Sequence, residues 1–429
     1  MLEVALIRRT TSRVKHSWVR IEQSLGRWRE RHPIAEAQVR DERLFVRRSV
    51  VTQGITVQSR LGGHGTEGVP VTGDRVVAVD IGGTSIKGAV AVRVDGGVEL
   101  VGPSVRRATR AVDGPQAVLE AVLSVLTELQ GQAPDVVAAG VGVAGTVDAA
   151  AGLVRFSANL GWRDLPLAGI AAQHTGLPIV LGHDVRSAAL AEARLGAGRD
   201  ENFVWFVSLG TGIAGGLITA GQVDPGATGQ AGEFGHIVVD PGGDPCGCGN
   251  RGCLETLASA SRVAARYRAL TGVDTGAAEV AAAMRAGDAA AQQIWDDAAE
   301  ALGAGLATVT ALLDPGVVVL GGGLALAGDL LRDPVATALA QRLTFRRPPP
   351  VRVTTLGDQA GLLGVALAAF DDLDVDRSAP DPARGAAVGS DGSAADPATG
   401  AAVAAVGSAA DPARGTADPA VGSAAEATS

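Results

Sequence analysis

Cysteine, methionine, lysine and the aromatics are all scarce in this chain. Among 429 residues there are three cysteines and two methionines, and aromatic side chains make up 3%. The three cysteines crowd into one segment that reads as a metal site, so no pair is left for a disulfide and a reducing cytosol is the expected compartment. Long apolar runs are missing as well: the longest helical candidate, Ala301 to Leu313, stops at Asp314 and Pro315, short of a membrane span. The first residues, MLEVALIRRTTSRVKHSW, hold no apolar core of signal-peptide length and bring charge too early. A general basic field is also absent. The net charge is −9, so the body of the protein is not expected to bind nucleic acid. What is abundant is small and apolar: hydrophobic residues make up 46%, enough for a large core in more than one lobe. Enrichment in Ala, Gly and Val, with Arg in place of Lys, reads as a genomic bias. The expectation is a soluble cytoplasmic protein.

Against this background one stretch stands out, Gly232 to Glu255, GEFGHIVVDPGGDPCGCGNRGCLE. His236, Cys246, Cys248 and Cys253 supply an imidazole and three thiolates, the donor set of a closed tetrahedral Zn²⁺ site. Four protein donors leave no open position for water, which favours a structural over a catalytic metal. The plainer alternative is a glycine-rich loop with packed cysteines. Glu233 and Glu255 are left outside the donor set, and a metal tying the segment together would bring both carboxylates toward a polyhydroxylated substrate.

The chain changes character twice. Residues 1–74 carry several tryptophans and many arginines without sustained apolar periodicity. Trp18 to Arg31 could form an amphipathic helix, but no helix-turn-helix pattern of a DNA-binding head emerges. A flexible or non-native leader, with a valine start just before Val76, is the alternative. From Val76 to about Asp372, β-branched runs, glycine turns and alanine-rich stretches alternate as in an α/β fold. Residues 373–429 then repeat Ala, Gly, Ser, Asp and Pro, too poor in large apolar groups to fold. This tail reads as a disordered spacer.

Two hairpins with glycine turns follow one grammar. Val76 to Asp80 reads as a strand, IGGTSIK (Ile81 to Lys87) as a turn, and Gly88 to Arg93 as a second strand. About 130 residues later, Phe203 to Ser208, the turn LGTG (Leu209 to Gly212) and Ile213 to Ala220 repeat it, as two similar lobes would. Backbone N–H groups at such turns can approach an anion closely, with Thr84 and Thr211 adding hydroxyls. Each could equally be only a turn. Neither fits the spacing of a P-loop. A third glycine stretch, Gly321 to Gly323, ends the strand Val317 to Leu320, where a nucleotide could lie against bare backbone. Ile179 to His183 reads as a strand leading into an alanine-rich helix. Asp184, at the junction, is either a general base for a substrate hydroxyl or the helix N-cap. His183 is a second polar group there or a packed histidine, and Asn159 either bonds a sugar hydroxyl or forms a turn.

Taken together, DIGGTSIKGAV, SLGTGIAGGLI, VVVLGGGLA, GEFGH and CGCGNRGCLE resemble the ROK family of bacterial sugar kinases and related repressors. The resemblance covers about Arg75 to Phe370 and implies the two-lobed, actin-like (ribonuclease H-like) α/β ATPase fold with a structural zinc loop. It implies a small lobe over 75–183, a large lobe over 184–356 and a helix within 357–372 returning to the small lobe. It further implies Asp184 as catalytic base, with Asn159, His183, Glu233, His236 and Glu255 on the sugar. Asp80, Gly82, Gly83, Thr84, Lys87, Gly210, Thr211 and Gly212 would line ATP phosphates and Mg²⁺, and Gly321, Gly322 and Gly323 the adenosine. Two residues depart from the family pattern: His183 and Arg186 stand where asparagines are usual.

The expected function is therefore an ATP-dependent hexose kinase, glucokinase-like, acting on the sugar 6-hydroxyl. A sugar-responsive repressor, or a kinase for an amino sugar or fructose, is the alternative. Lobe closure on the substrate would exclude water from the γ-phosphate, and family resemblance favours a homodimer or tetramer.

Overall fold

Strands whose alternate residues are all apolar need cover on both faces, and this chain builds two such sheets on one plan. The computed structural model describes residues 73–378. In the first sheet, β1 (Arg75–Ile81) pairs antiparallel with β2 (Ser85–Val94), which pairs with β3 (Gly97–Ala108). Helix α1 (Pro115–Gln132) leads to β4 (Val136–Val143), parallel to β1. A small antiparallel sheet of β5 (Thr146–Asp148), β6 (Leu153–Ser157) and β7 (Trp162–Leu165) follows, then α2 (Leu167–Thr175) and β8 (Ile179–His183), parallel to β4. The order is β3-β2-β1-β4-β8.

Helix α3 (Asp184–Arg194) carries the chain into the second sheet. Here β9 (Phe203–Leu209) pairs antiparallel with β10 (Ile213–Thr219), and β11 (Gln222–Asp224) extends that edge. Four helices follow the cysteine segment: α4 (Leu254–Ala258), α5 (Ala260–Thr271), α6 (Ala277–Arg285) and α7 (Ala289–Leu313). Then β12 (Val317–Gly321) joins β9 in parallel, α8 (Asp329–Arg342) crosses over, and β13 (Val351–Val353) closes the order β11-β10-β9-β12-β13. The last helix is α9 (Ala360–Ser378).

The period-2 pattern sorts side chains into three cores. Val77 and Val79 of β1 pack with α1 and α2, while Trp205 and Val207 of β9 pack with α4 to α8. Their alternates, Val76 and Ala78, Val204 and Phe206, share a third core with α3 and α9. The two helices therefore form the layer common to both sheets. They approach so closely that a Cβ on Gly364 would lie 1.8 Å from the Ser187 carbonyl oxygen, a space only glycine leaves.

Several boundaries differ from the sequence expectation. β2 begins at Ser85, so Lys87 lies within the ladder opposite Asp80 instead of in the turn. The long helix starts twelve residues before Ala301, at Ala289, where the Asp288 carboxylate caps the Ala291 N–H at 2.8 Å. Residues 373–378, expected in the tail, continue α9. Arg93 holds Asp374 at 2.9 Å and Arg377 holds Asp74, which anchors these turns. The candidate helix Trp18 to Arg31, the rest of the leader and the tail beyond Ser378 lie outside the described residues.

Candidate active site and metal cluster

The parallel pairing of β1, β4 and β8 brings their carboxyl ends side by side, the usual location of sites in such sheets. Asp80 is the penultimate residue of β1 and Asp184 follows β8. Both flank Gly142 of β4, where a Cβ would sit 3.5 Å from Asp80 Oδ1 and 3.7 Å from the Asp184 Cα. Burial, reinforced by the Asp184 charge and opposed by Lys87, pushes the Asp80 carboxyl up to about 6. Burial likewise pushes Asp184 up to about 6, against the Val185 N–H and Arg186. A carboxylate titrating near neutrality can accept a proton and release it again.

The helix cap went to His183, not Asp184. Its Nδ1 accepts the Arg186 N–H at 3.4 Å and lies 3.1 Å from Asp184 Oδ1, while burial lowers its pKa to about 4 and keeps the ring neutral. Asp184, as the first helical residue, accepts from Val185 N–H at 2.8 Å and keeps 27% of its side chain exposed.

The first glycine turn, Gly82 to Thr84, is braced by Thr109, whose hydroxyl donates to the Gly82 carbonyl at 2.8 Å. Asn159, at the β6–β7 turn, lies against Gly83, with its Cβ 3.4 Å from where a Gly83 Cβ would stand. Lys87 donates to the Asp358 carbonyl at 3.3 Å. The second turn, Gly210 to Gly212, is braced by the segment after the cysteines. Glu255 accepts the Ile213 N–H at 2.9 Å, Ala260 N–H donates to the Gly210 carbonyl, and Ser261 donates to the Thr211 carbonyl. Of the third glycine stretch, Gly321 is buried under the Phe206 ring and Gly322 (φ +80°) abuts the Leu209 backbone, so both are required by packing. Only Gly323 has open space beside its Cα.

His236, Cys246, Cys248 and Cys253 converge, with all ligating atoms within 4.8 Å of one another. Cys248 and Cys253 sulfurs are 3.6 Å apart, as are Cys246 Sγ and His236 Nδ1. Tetrahedral Zn²⁺, with Zn–S about 2.3 Å and Zn–N about 2.0 Å, requires S···S and S···N separations of roughly 3.5–3.8 Å. The donors thus fit zinc. Burial and the adjoining thiols push Cys253 up to about 12, which leaves its thiolate in need of a cation. With Nδ1 turned to the cysteines, His236 Nε2 faces Glu233, 3.8 Å away. The loop is anchored by Phe234, buried and edge-on to Trp205 at 5.7 Å between centroids. Phe234 was not among the expected site residues, although an aromatic inside the motif of so aromatic-poor a chain was its available signal.

The two sheets of repeated plan, with paired carboxylates and glycine turns at their ends, define a two-lobed actin-like α/β fold. The ROK family model matches residues 76–371, and the chain belongs to that family. It is 37% identical over 193 residues to a glucokinase of Halalkalibacterium halodurans, covering 44% of this chain and 57% of that protein's length. An N-acetylmannosamine kinase of Escherichia fergusonii is 34% identical over 224 residues, 51% of this chain and 72% of that one. Among solved structures, a ROK family glucokinase from Streptomyces griseus in complex with glucose and AMPPNP superposes with TM-score 0.61. It shares 33% identity, over 69% of this chain and 99% of that one. A ROK family transcriptional regulator, a homologue of the E. coli MLC protein, reaches 0.62 at 26% identity, over 69% and 78%. Among the described residues no helix is long and apolar enough to cross a membrane.

Proposed function

We propose that this protein is an ATP-dependent hexose kinase, glucokinase-like, that phosphorylates the sugar 6-hydroxyl. The observation that carries this is Asp184: a partly open carboxylate raised to about 6, beside Asp80, with the Glu233 charge acting on its neighbours His183 and Arg186. Asp184 accepts the hydroxyl proton as the oxygen attacks the γ-phosphate in line. Glu233, His236, Glu255, Asn159 and His183 hydrogen-bond the sugar and hold it for that attack. The turns at Gly82 to Thr84 and Gly210 to Gly212 present N–H groups to the phosphates, where fixed dipoles stabilise moving charge. Asp80 suits Mg²⁺, which takes one or two carboxylates plus phosphate oxygens and water, and would supply charge neutralisation there. His236 and the three cysteines would hold Zn²⁺, which would stiffen the sugar-facing loop.

A coupled assay with ATP, Mg²⁺ and a panel of hexoses tests the proposal, with glucose expected to be turned over best. Similarity to the N-acetylmannosamine kinase makes that amino sugar the first competitor in the panel. Similarity to the regulator favours a second reading, sugar-responsive repression. Specific operator binding in a gel shift, lost on removing residues 1–74, together with no turnover of any hexose, would put that reading first.

A further inference from the structure

Arg186 is buried, with 7% of its surface exposed, two residues beyond the base Asp184 on α3. An arginine is expensive to bury unless its donors and charge are matched. Here one guanidinium nitrogen donates to the Gly229 carbonyl at 2.8 Å. Asp184 and Glu233 both act on its charge, one from the same helix and one from the end of the loop that Gly229 belongs to. That loop, residues 225–233, runs from β11 to the start of the metal cluster. On its far side Gly229 faces the small sheet, since a Cβ there would lie 3.3 Å from the Val147 carbonyl oxygen. Its end is fixed where Gly215 N–H donates to the Gly232 carbonyl at 2.6 Å. At the loop's start Asp224 accepts the Gly226 N–H at 2.9 Å; from across the fold, Arg186 reaches the loop's backbone at Gly229.

We propose that Arg186 is a positioning residue: by holding the Gly229 carbonyl it seats residues 225–233 against the base-bearing helix, so that Glu233 and Asp184 face one substrate. This rests on the kinase reading above for what the loop receives, but not for the seating itself. An asparagine here, shorter and uncharged, would supply neither the reach nor the charge.

The test compares wild type with Arg186→Ala, Arg186→Asn and Arg186→Lys by hydrogen exchange and by steady-state kinetics. In Arg186→Ala, amides of 225–233 are expected to exchange at least about tenfold faster while the cores of both sheets are unchanged. The sugar KM is expected to rise about tenfold, with the ATP KM within about twofold. Arg186→Asn should behave like the alanine variant, and Arg186→Lys should recover part of both effects. Unchanged exchange in 225–233 overturns the proposal. So does acceleration spread over the whole protein that lysine fails to rescue, because that is the behaviour of a fold anchor only. If wild type phosphorylates no hexose, the kinase reading falls, and the exchange measurement alone decides for or against Arg186.

Discussion

The first and second glycine hairpins share a backbone and differ in what stands at the end of the leading strand. In β1 the residue before the last is Asp80, half-buried and raised to about 6; in β9 the matching residue is Ser208. The first turn is braced from within its own lobe, by Thr109 and Asn159. The second is braced by Glu255 and Ser261, which follow the metal cluster. A repeated scaffold has thus been divided by chemistry: one copy holds acid, the other is tied to the segment that follows the metal cluster. The lesson is that repetition of a fold supplies two equivalent frames, and a few polar side chains decide which performs which task.

The largest test of this division is Asp184→Asn. Turnover should fall by about 10²–10⁴-fold in the coupled assay, the usual worth of a general base. Stability should not suffer. A carboxyl whose pKa is raised in the fold contributes stability below about pH 4 and loses it as pH rises through about 6, so at pH 7 its neutral replacement relieves a cost. A melting temperature at pH 7 lower than wild type would contradict that sign. Next comes the direct comparison of the two strand ends. Asp80→Asn should lower kcat about 100-fold, whereas Ser208→Ala should stay within about twofold; equal effects would erase the distinction between the hairpins.

Removing metal with a chelator acts on the second frame. The sugar KM should rise about tenfold and the melting temperature should fall, with zinc recovered in the chelate by mass spectrometry. Absence of zinc in freshly purified protein would break this part of the comparison. The pH dependence is a milder probe. Because Asp184 must be ionised to act, kcat/KM should decline below about pH 6, and this acid limb should vanish in whatever activity Asp184→Asn retains. The smallest effect is expected of His183→Asn. Since His183 is held neutral, with its pKa lowered to about 4, the substitution should shift preference among sugars by about threefold without moving the acid limb.

Much of the scaffold could be read from local pattern. The strands around both glycine turns, the order of the repeated hairpins and the helix stop at Asp314, where φ is +52°, all follow from short-range preferences. The donor set of the metal cluster was legible for a similar reason, since cysteine and histidine in such spacing leave few alternatives. The small sheet of β5 to β7 was not foreseen, being built from strands of three to five residues, several of whose side chains are buried in the core shared with β1, α1 and α2. Nor were the partners of Arg186 and Glu255, which lie 43 and 42 residues away in the chain.

The residue types themselves determined which chemistry is available: carboxylates, thiols, an imidazole and glycine turns, with few aromatics and no disulfide pair to spare. Tertiary structure decided their roles. Asp184 stands as a partly buried carboxyl at the helix start while His183 takes the cap, and Gly321 and Gly322 pack against Phe206 and Leu209. Local propensities act over a few residues, whereas capping choice, burial and charge pairing are settled only when distant strands and helices close around the same point.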